Sequence, residues 1–209
     1  MIKNNEIEVP LEGHVIKKEE ITAYFDALAP VWDEGLVCCG EKIRCILDHA
    51  GVKAGKRVLD VACGTGVMIP YYLERQVSSV TAVDISPEMI RIARSKFPQK
   101  EVRFLCGDIE EVDAGENYDA VIVYNAFPHF QDPARLLAAL GSLLKIGGTL
   151  TVAHGMSREK INAHHAGSAR NVSNGLMEAD SLTALFPETV RPTFVLSTEA
   201  MYQVTGVRV

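Results

Sequence analysis

Asp60 and Asp84 each sit at the end of an apolar run, and Gly64 and Gly66 follow the first of them. The runs are Val58-Leu59-Asp60-Val61-Ala62-Cys63-Gly64-Thr65-Gly66 and, about twenty residues on, Val80-Thr81-Ala82-Val83-Asp84, the layout of a nucleoside-binding βαβ unit. Glycines lack a Cβ, so they accept positive φ and let a ligand lie against bare backbone at the start of a helix. A carboxylate at the end of the neighbouring strand is placed to accept from two ribose hydroxyls. The competing reading is structural: a tight turn at the glycines, with Asp84 capping a helix that begins Ser86-Pro87-Glu88.

Three histidines form a second group with chemical potential. His129 lies in Asn125-Ala126-Phe127-Pro128-His129-Phe130, after a fourth apolar run, and either orients or deprotonates an acceptor or simply walls a pocket. His164 and His165 belong to a polar stretch from His154 that also carries Ser157 and Arg158. Neutral imidazoles there serve a hydroxyl or thiol acceptor, whereas adjacent histidines on a regular helix rarely share one metal ion. No metal site is expected. A substrate-facing lid and a solvated helix both remain open for this stretch.

These residues need a scaffold. Helices are expected over 17–29 and 33–50, broken near Pro30, then strand 57–62, a helix, strand 79–84, helix 87–97, strands 101–106 and 118–124, helix 133–145 and strand 149–154. Strands alternating with helices predict a doubly wound parallel sheet. Gly147-Gly148 is expected to end the helix that Asp132-Pro133 starts. After a polar segment, a short helix Asp180 to Phe186 precedes runs Thr193–Ser197 and Met201–Val209, which Thr198-Glu199-Ala200 should join as an antiparallel hairpin.

The ordered series DVACGTG, VTAVDISPEMIRIAR, FLCGDIEEV and YDAVIVYNAFPHFQDPARLLAALGSLLKIGGTLTVAH resembles class I S-adenosylmethionine-dependent methyltransferases, nearest the small-molecule, quinone-biosynthesis-like group. The likeness runs from about Tyr24 to His154. Ile69, three residues after Gly66, departs from the third glycine of a dehydrogenase fingerprint. The resemblance implies a Rossmann-like fold: a mostly parallel seven-stranded sheet closed by the C-terminal antiparallel hairpin. It also implies S-adenosylmethionine as cofactor and in-line displacement of its methyl group by a small-molecule acceptor.

Carried over by resemblance, Gly64, Gly66 and Asp60 meet the methionine part of the cofactor and Asp84 the ribose. Ile85 and Met89 flank the adenine, Asp108 and Ile109 meet its amino-group edge, and Asn125 borders the same pocket. Asp108 equally suits a turn after Gly107. Tyr24 and Trp32, in YFDALAPVWDEG, resemble a cofactor-covering pattern, although such spacing also suits the core of an amphipathic helix. Two departures are Ala126, where base-modifying relatives carry proline, and Ile146, where proline commonly precedes the Gly-Gly turn.

One domain is expected over 1–209, with an N-terminal helical lid at 1–50 and an acceptor-side insertion at 155–178. A net charge of -6 argues against a broad grip on nucleic acid, and no apolar run approaches a membrane span. MIKNNEIEVPLEGH has no signal-peptide core, and five cysteines, including the adjacent Cys38 and Cys39, form no disulfide framework. A cytoplasmic enzyme is therefore expected, with a small-molecule partner, without nucleic-acid or membrane partners, and compatible with a homodimer. The alternatives are a non-catalytic cofactor-binding protein and a nucleic-acid methyltransferase. The acceptor atom, the need for a base and the roles of Cys38 and Cys39 are not legible.

Overall fold

A computed structural model describes residues 16–35, 39–167 and 169–209. Residues 1–15 and 36–38 of the expected N-terminal lid, Cys38 among them, and Ser168 of the 155–178 segment lie outside the described residues. The chain order is α1 (Lys18–Leu28), a 3-10 turn (Ala29–Glu34), α2 (Gly40–His49), β1 (Arg57–Val61), α3 (Ile69–Glu74), β2 (Ser79–Asp84), α4 (Pro87–Lys96), β3 (Val102–Cys106) and β4 (Tyr118–Tyr124). It continues with α5 (Pro133–Leu143), β5 (Leu144–His154), α6 (Arg158–His165), α7 (Ala179–Ala184), β6 (Val190–Ser197) and β7 (Tyr202–Arg208).

Seven strands form one sheet in the order β3-β2-β1-β4-β5-β7-β6. The first five run parallel, while β7 pairs antiparallel with both β5 and β6. Buried on both faces, β4 is apolar almost throughout, and its seven residues are all buried. Along β1 the side chains alternate: Leu59 and Val61 join Val121, Val123 and Leu137 in one core layer, and Val58 joins Ile46, Ile69 and Ile122 in the other. Asp60 shares the face of Val58. The strand order reverses between β1 and β4, which opens the ligand-binding crevice of a doubly wound sheet above their carboxyl ends.

Local chemistry sets the helix boundaries. Ser86 Oγ accepts from Met89 N at 3.1 Å and starts α4, with Pro87 in its first turn; Asp132 and Pro133 do the same for α5. Ser157 caps α6 through Lys160 N. The antiparallel β6–β7 pair turns at Thr198, whose Oγ1 accepts from Ala200 N and Met201 N.

Two sequence expectations need correction. The second helix begins at Gly40, not at 33, because Ala29–Glu34 winds as a tighter 3-10 turn around Pro30. Gly147-Gly148 does not terminate α5. Instead β5 already pairs at Leu144, and the glycines sit within the strand, where the register with β4 shifts between Tyr118 and Ala120. Ile146 lies beside that bulge and is exposed.

The bulge needs two glycines for different reasons. Gly147 has φ of +78° with open space around it, whereas a Cβ on Gly148 would lie 2.8 Å from Tyr118 O and 2.9 Å from Lys145 O. Backbone oxygens cannot rotate away. Gly148→Ala should thus cost about 1–3 kcal/mol, the range for overpacking, and more than Gly147→Ala, whose cost is backbone strain alone. Chemical denaturation of both variants checks this ranking; equal stabilities would contradict it.

Candidate cofactor and acceptor site

The loop after β1 is built from left-handed residues: Ala62, Gly64 and Gly66 have φ of 56°, 54° and 89°. The two glycines do different work. Gly64 lines a cavity of about 750 Å³, and only Trp32 Nε1, at 3.9 Å, would come near a Cβ there. Gly66 lies below, where a Cβ would meet Phe97 Cε2 at 2.7 Å. Its role is close packing of loop against helix.

Asp84 ties this loop to the next. Its Oδ2 accepts from Gly64 N at 2.7 Å and its Oδ1 from Ser86 N at 2.9 Å. Burial raises its carboxyl to about 6, against the pull of the two amides. Since Ser86 supplies the α4 cap, Asp84 bridges two loops at the cavity floor and is not itself the cap.

Asp60 behaves differently. It is 1% exposed, does not line the cavity, and its Oδ2 has no hydrogen-bond partner. Burial pushes its carboxyl up to about 8. Ile85, Met89, Asp108, Ile109 and Asn125 all line the cavity. Asp108 accepts from Glu110 N at 2.9 Å through Oδ1 and pairs with Lys18 through Oδ2. Asn125, at φ 55°, accepts from Gly155 N at 3.0 Å.

Above these loops lies α1 with its 3-10 turn, which carries Tyr24, Phe25 and Trp32 along the cavity. Three charged residues fasten it, one to each loop after β1, β2 and β3. Asp33 accepts from Thr65 Oγ1 at 2.6 Å and pairs with Lys96. Asp26 accepts from Ser86 Oγ at 2.5 Å and Glu88 N at 3.1 Å. Lys18 pairs with Asp108 and with Glu111. None of these three was singled out from the sequence. The available signal was two aspartates seven apart, hence on one helical face, inside YFDALAPVWDEG.

The histidines meet at the far end of the cavity. Phe25 and His129 rings lie edge to face at 5.0 Å, His129 and His165 centroids are 5.0 Å apart, and His164 follows at 5.8 Å. All three imidazoles line the cavity. His129 Nδ1 lies 2.7 Å from Val172 O, and His165 Nδ1 lies 2.7 Å from Ser173 Oγ. Burial lowers the pKa of both rings, that of His165 to about 4. His154 stays outside this group, wholly buried in β5 with neither ring nitrogen partnered. Among the described residues, no three His, Cys, Asp or Glu side chains converge as metal ligands would.

The sequence matches a methyltransferase domain family over residues 58–148. It is 33% identical over 139 residues to malonyl-[acyl-carrier protein] O-methyltransferase of Acetivibrio thermocellus, covering 65% of this chain and 49% of the relative. Demethylmenaquinone methyltransferase of Renibacterium salmoninarum is 31% identical over 143 residues, covering 66% and 59% respectively. The chain thus spans about half the length of the curated relatives it matches. In fold it is similar to magnesium protoporphyrin IX methyltransferase from Synechocystis PCC 6803, solved with bound SAH, with a TM-score of 0.69 at 16% identity over 92% of this chain and 99% of that one.

The buried acids and imidazoles make opposite contributions to stability as pH changes. Asp60, raised from 3.8 to about 8, holds a proton in the folded chain that the unfolded chain releases, so its contribution is lost as pH rises towards 8. The lowered His129, His154 and His165 act the other way, but only below their ordinary 6.5. Between pH 6.5 and 8 the melting temperature should therefore fall, and Asp60→Asn should flatten that fall. Melting curves at both pH values check it; an unchanged slope in the variant would contradict the assignment.

Proposed function

The chain belongs to the class I S-adenosylmethionine-dependent methyltransferases, and from that premise we propose that it transfers a methyl group to a small-molecule acceptor. The observation that carries this reading is a single cavity, walled at one end by Gly64, Asp84 and Asp108 and at the other by His129, His164 and His165. Its volume of about 750 Å³ lies in the range of sites that enclose a whole ligand.

The residues suit the cofactor. Gly64 offers bare backbone with open space where a Cβ would stand, so a ligand can lie directly on the loop. Asp84 accepts from the ribose hydroxyls with the lone pairs its two amide partners leave free. Ile85, Met89 and Ile109 form an apolar slot for the adenine, and Asp108 stands at its edge. Asp60 lies behind the wall as a buried acid, so its part in cofactor binding is indirect. Gly66 acts through Phe97 packing. Tyr24 and Trp32, on the N-terminal lid, cover the cavity, with Asn125 on its β4 side.

When bound, S-adenosylmethionine supplies a sulfonium methyl group open to in-line attack. The protein's part is positioning, for which alignment alone accounts for up to about 7–11 kcal/mol of a barrier in favourable cases. His129 is the base for an acceptor that must lose a proton: its Nε2 takes the proton while Val172 O steadies the other nitrogen. His164 and His165 border the acceptor. A reducing, cytoplasmic setting fits the free thiols of Cys39, Cys45, Cys63 and Cys106.

Calorimetric titration should give micromolar or tighter binding of both S-adenosylmethionine and S-adenosylhomocysteine, with slow conversion of the first to the second across phenols, thiols, amines and quinols. Asp84→Ala should weaken binding by about 1.5–3 kcal/mol, the worth of hydrogen bonds to a charged group. Binding of NADH with neither adenosyl ligand retained would overturn the reading.

A further inference from the structure

Beneath the glycine loop two buried polar side chains face each other with no cation to answer them. Asp60 of β1 and Tyr72 of α3 are wholly buried, and neither Asp60 Oδ2 nor the Tyr72 hydroxyl completes a hydrogen bond of ordinary geometry. The titratable groups that bear on Asp60 are that hydroxyl, the Cys63 thiol and the Asp84 carboxylate. Among the described residues no lysine, arginine or histidine pairs with it. An unpaired anion so placed is costly, and a second acid on the neighbouring strand adds repulsion, so Asp60 rests as the neutral acid.

The cavity lies directly above. Val61, Ala62, Cys63 and Gly64, the four residues that follow Asp60, all line it. A cation entering there needs a counter-charge, and the acids on the wall are already engaged. Asp108 pairs with Lys18 and Glu110 with Arg135, Asp84 is held by two amides, and Asp132 accepts from Arg135 N at 3.0 Å. Asp60 is the acid beside the glycine loop that no such partner holds. In a buried, weakly screened setting the field of a cation in the cavity reaches it strongly.

We propose that Asp60 is a proton store tied to the charge of the ligand: a cation lying on the Gly64 loop drives the Asp60 proton out to solvent, and a neutral ligand leaves it in place. S-adenosylmethionine carries a sulfonium charge that S-adenosylhomocysteine lacks, so the inference rests on the methyl-transfer reading for its natural ligand pair. The balance is simple. Asp60 loses one proton to solvent when the sulfonium arrives, and its carboxylate takes one back from solvent once methyl transfer has removed that charge. Binding that releases a proton strengthens as pH rises, so discrimination of the cofactor from its product increases towards pH 8. Asp84 faces the ribose, which both ligands share, and cancels from the comparison.

The test is calorimetric titration of the full chain with each adenosyl ligand, in phosphate and in Tris, whose different ionisation heats count the protons exchanged. At pH 7 S-adenosylmethionine should release about half a proton or more beyond S-adenosylhomocysteine, and its affinity relative to the product should rise about fivefold or more between pH 6.5 and 8. Carboxyl carbon-13 NMR should show Asp60 protonated at pH 7 in the free chain and with S-adenosylhomocysteine, and ionised with S-adenosylmethionine. Asp60→Asn should abolish the difference in proton release while keeping whatever the ligands themselves exchange. Tyr72→Phe, which removes the hydroxyl that favours the ionised acid, should move the affinity rise to higher pH. Equal proton release for the two ligands, or a difference that survives in Asp60→Asn, would overturn the proposal and leave the methyl-transfer reading standing. Failure of both ligands to bind would sink that reading and this proposal with it.

Discussion

The carboxylate of Asp84 is the contact on which the site's architecture hangs. By accepting from Gly64 N and Ser86 N it holds the loops after β1 and β2 in one arrangement, although burial raises its pKa to about 6. With Ser86 so placed, its hydroxyl meets Asp26, and Asp26 seats α1 over the loops. Seated there, α1 presents Phe25 to the edge of His129, which in turn faces His165. One buried carboxylate thus connects the glycine-loop end of the cavity to its histidine end through named contacts. Breaking it would loosen two loops and remove the platform of a helix.

The grip of α1 is broad but shallow. Its ion pairs are partly exposed, Lys18 at 42% and Glu111 at 70% of the side chain, and such pairs contribute about 0–1 kcal/mol each. Its apolar anchorage is a small cluster, Ile16 and Ile21 with Ala169 and Val172, apart from the two main cores. The same Val172 accepts from His129. Elements with few buried contacts open at low free energy, as a cover over a ligand must. α1 and the segment after α6 pack against one another through these residues.

Much of the fold was legible because buried parallel strands read as unbroken apolar runs and their ends are marked by glycine and acid. The strands at β1, β2 and β4 follow that rule closely, whereas the antiparallel β6 alternates more and less exposed positions. The boundaries that failed, Gly40 for α2 and Leu144 for β5, depend on how a 3-10 turn and a strand bulge pack against neighbours far away in sequence. Asp60 was read as a ligand contact from its place at a strand end; its side chain is buried and is not among those that line the cavity. Asp26 and Asp33 were visible only as two aspartates seven apart, since the groups each binds, 32 to 63 residues away, are brought near by the tertiary fold alone.

The central claim is that α1 and the three loops close around one ligand as a unit. Hydrogen–deuterium exchange of the full chain with and without S-adenosylhomocysteine measures it directly. The amides of Lys18–Leu28 should gain protection together with those near Gly64, Ser86 and Asp108. Protection of the loops alone, with α1 exchanging as before, would contradict it.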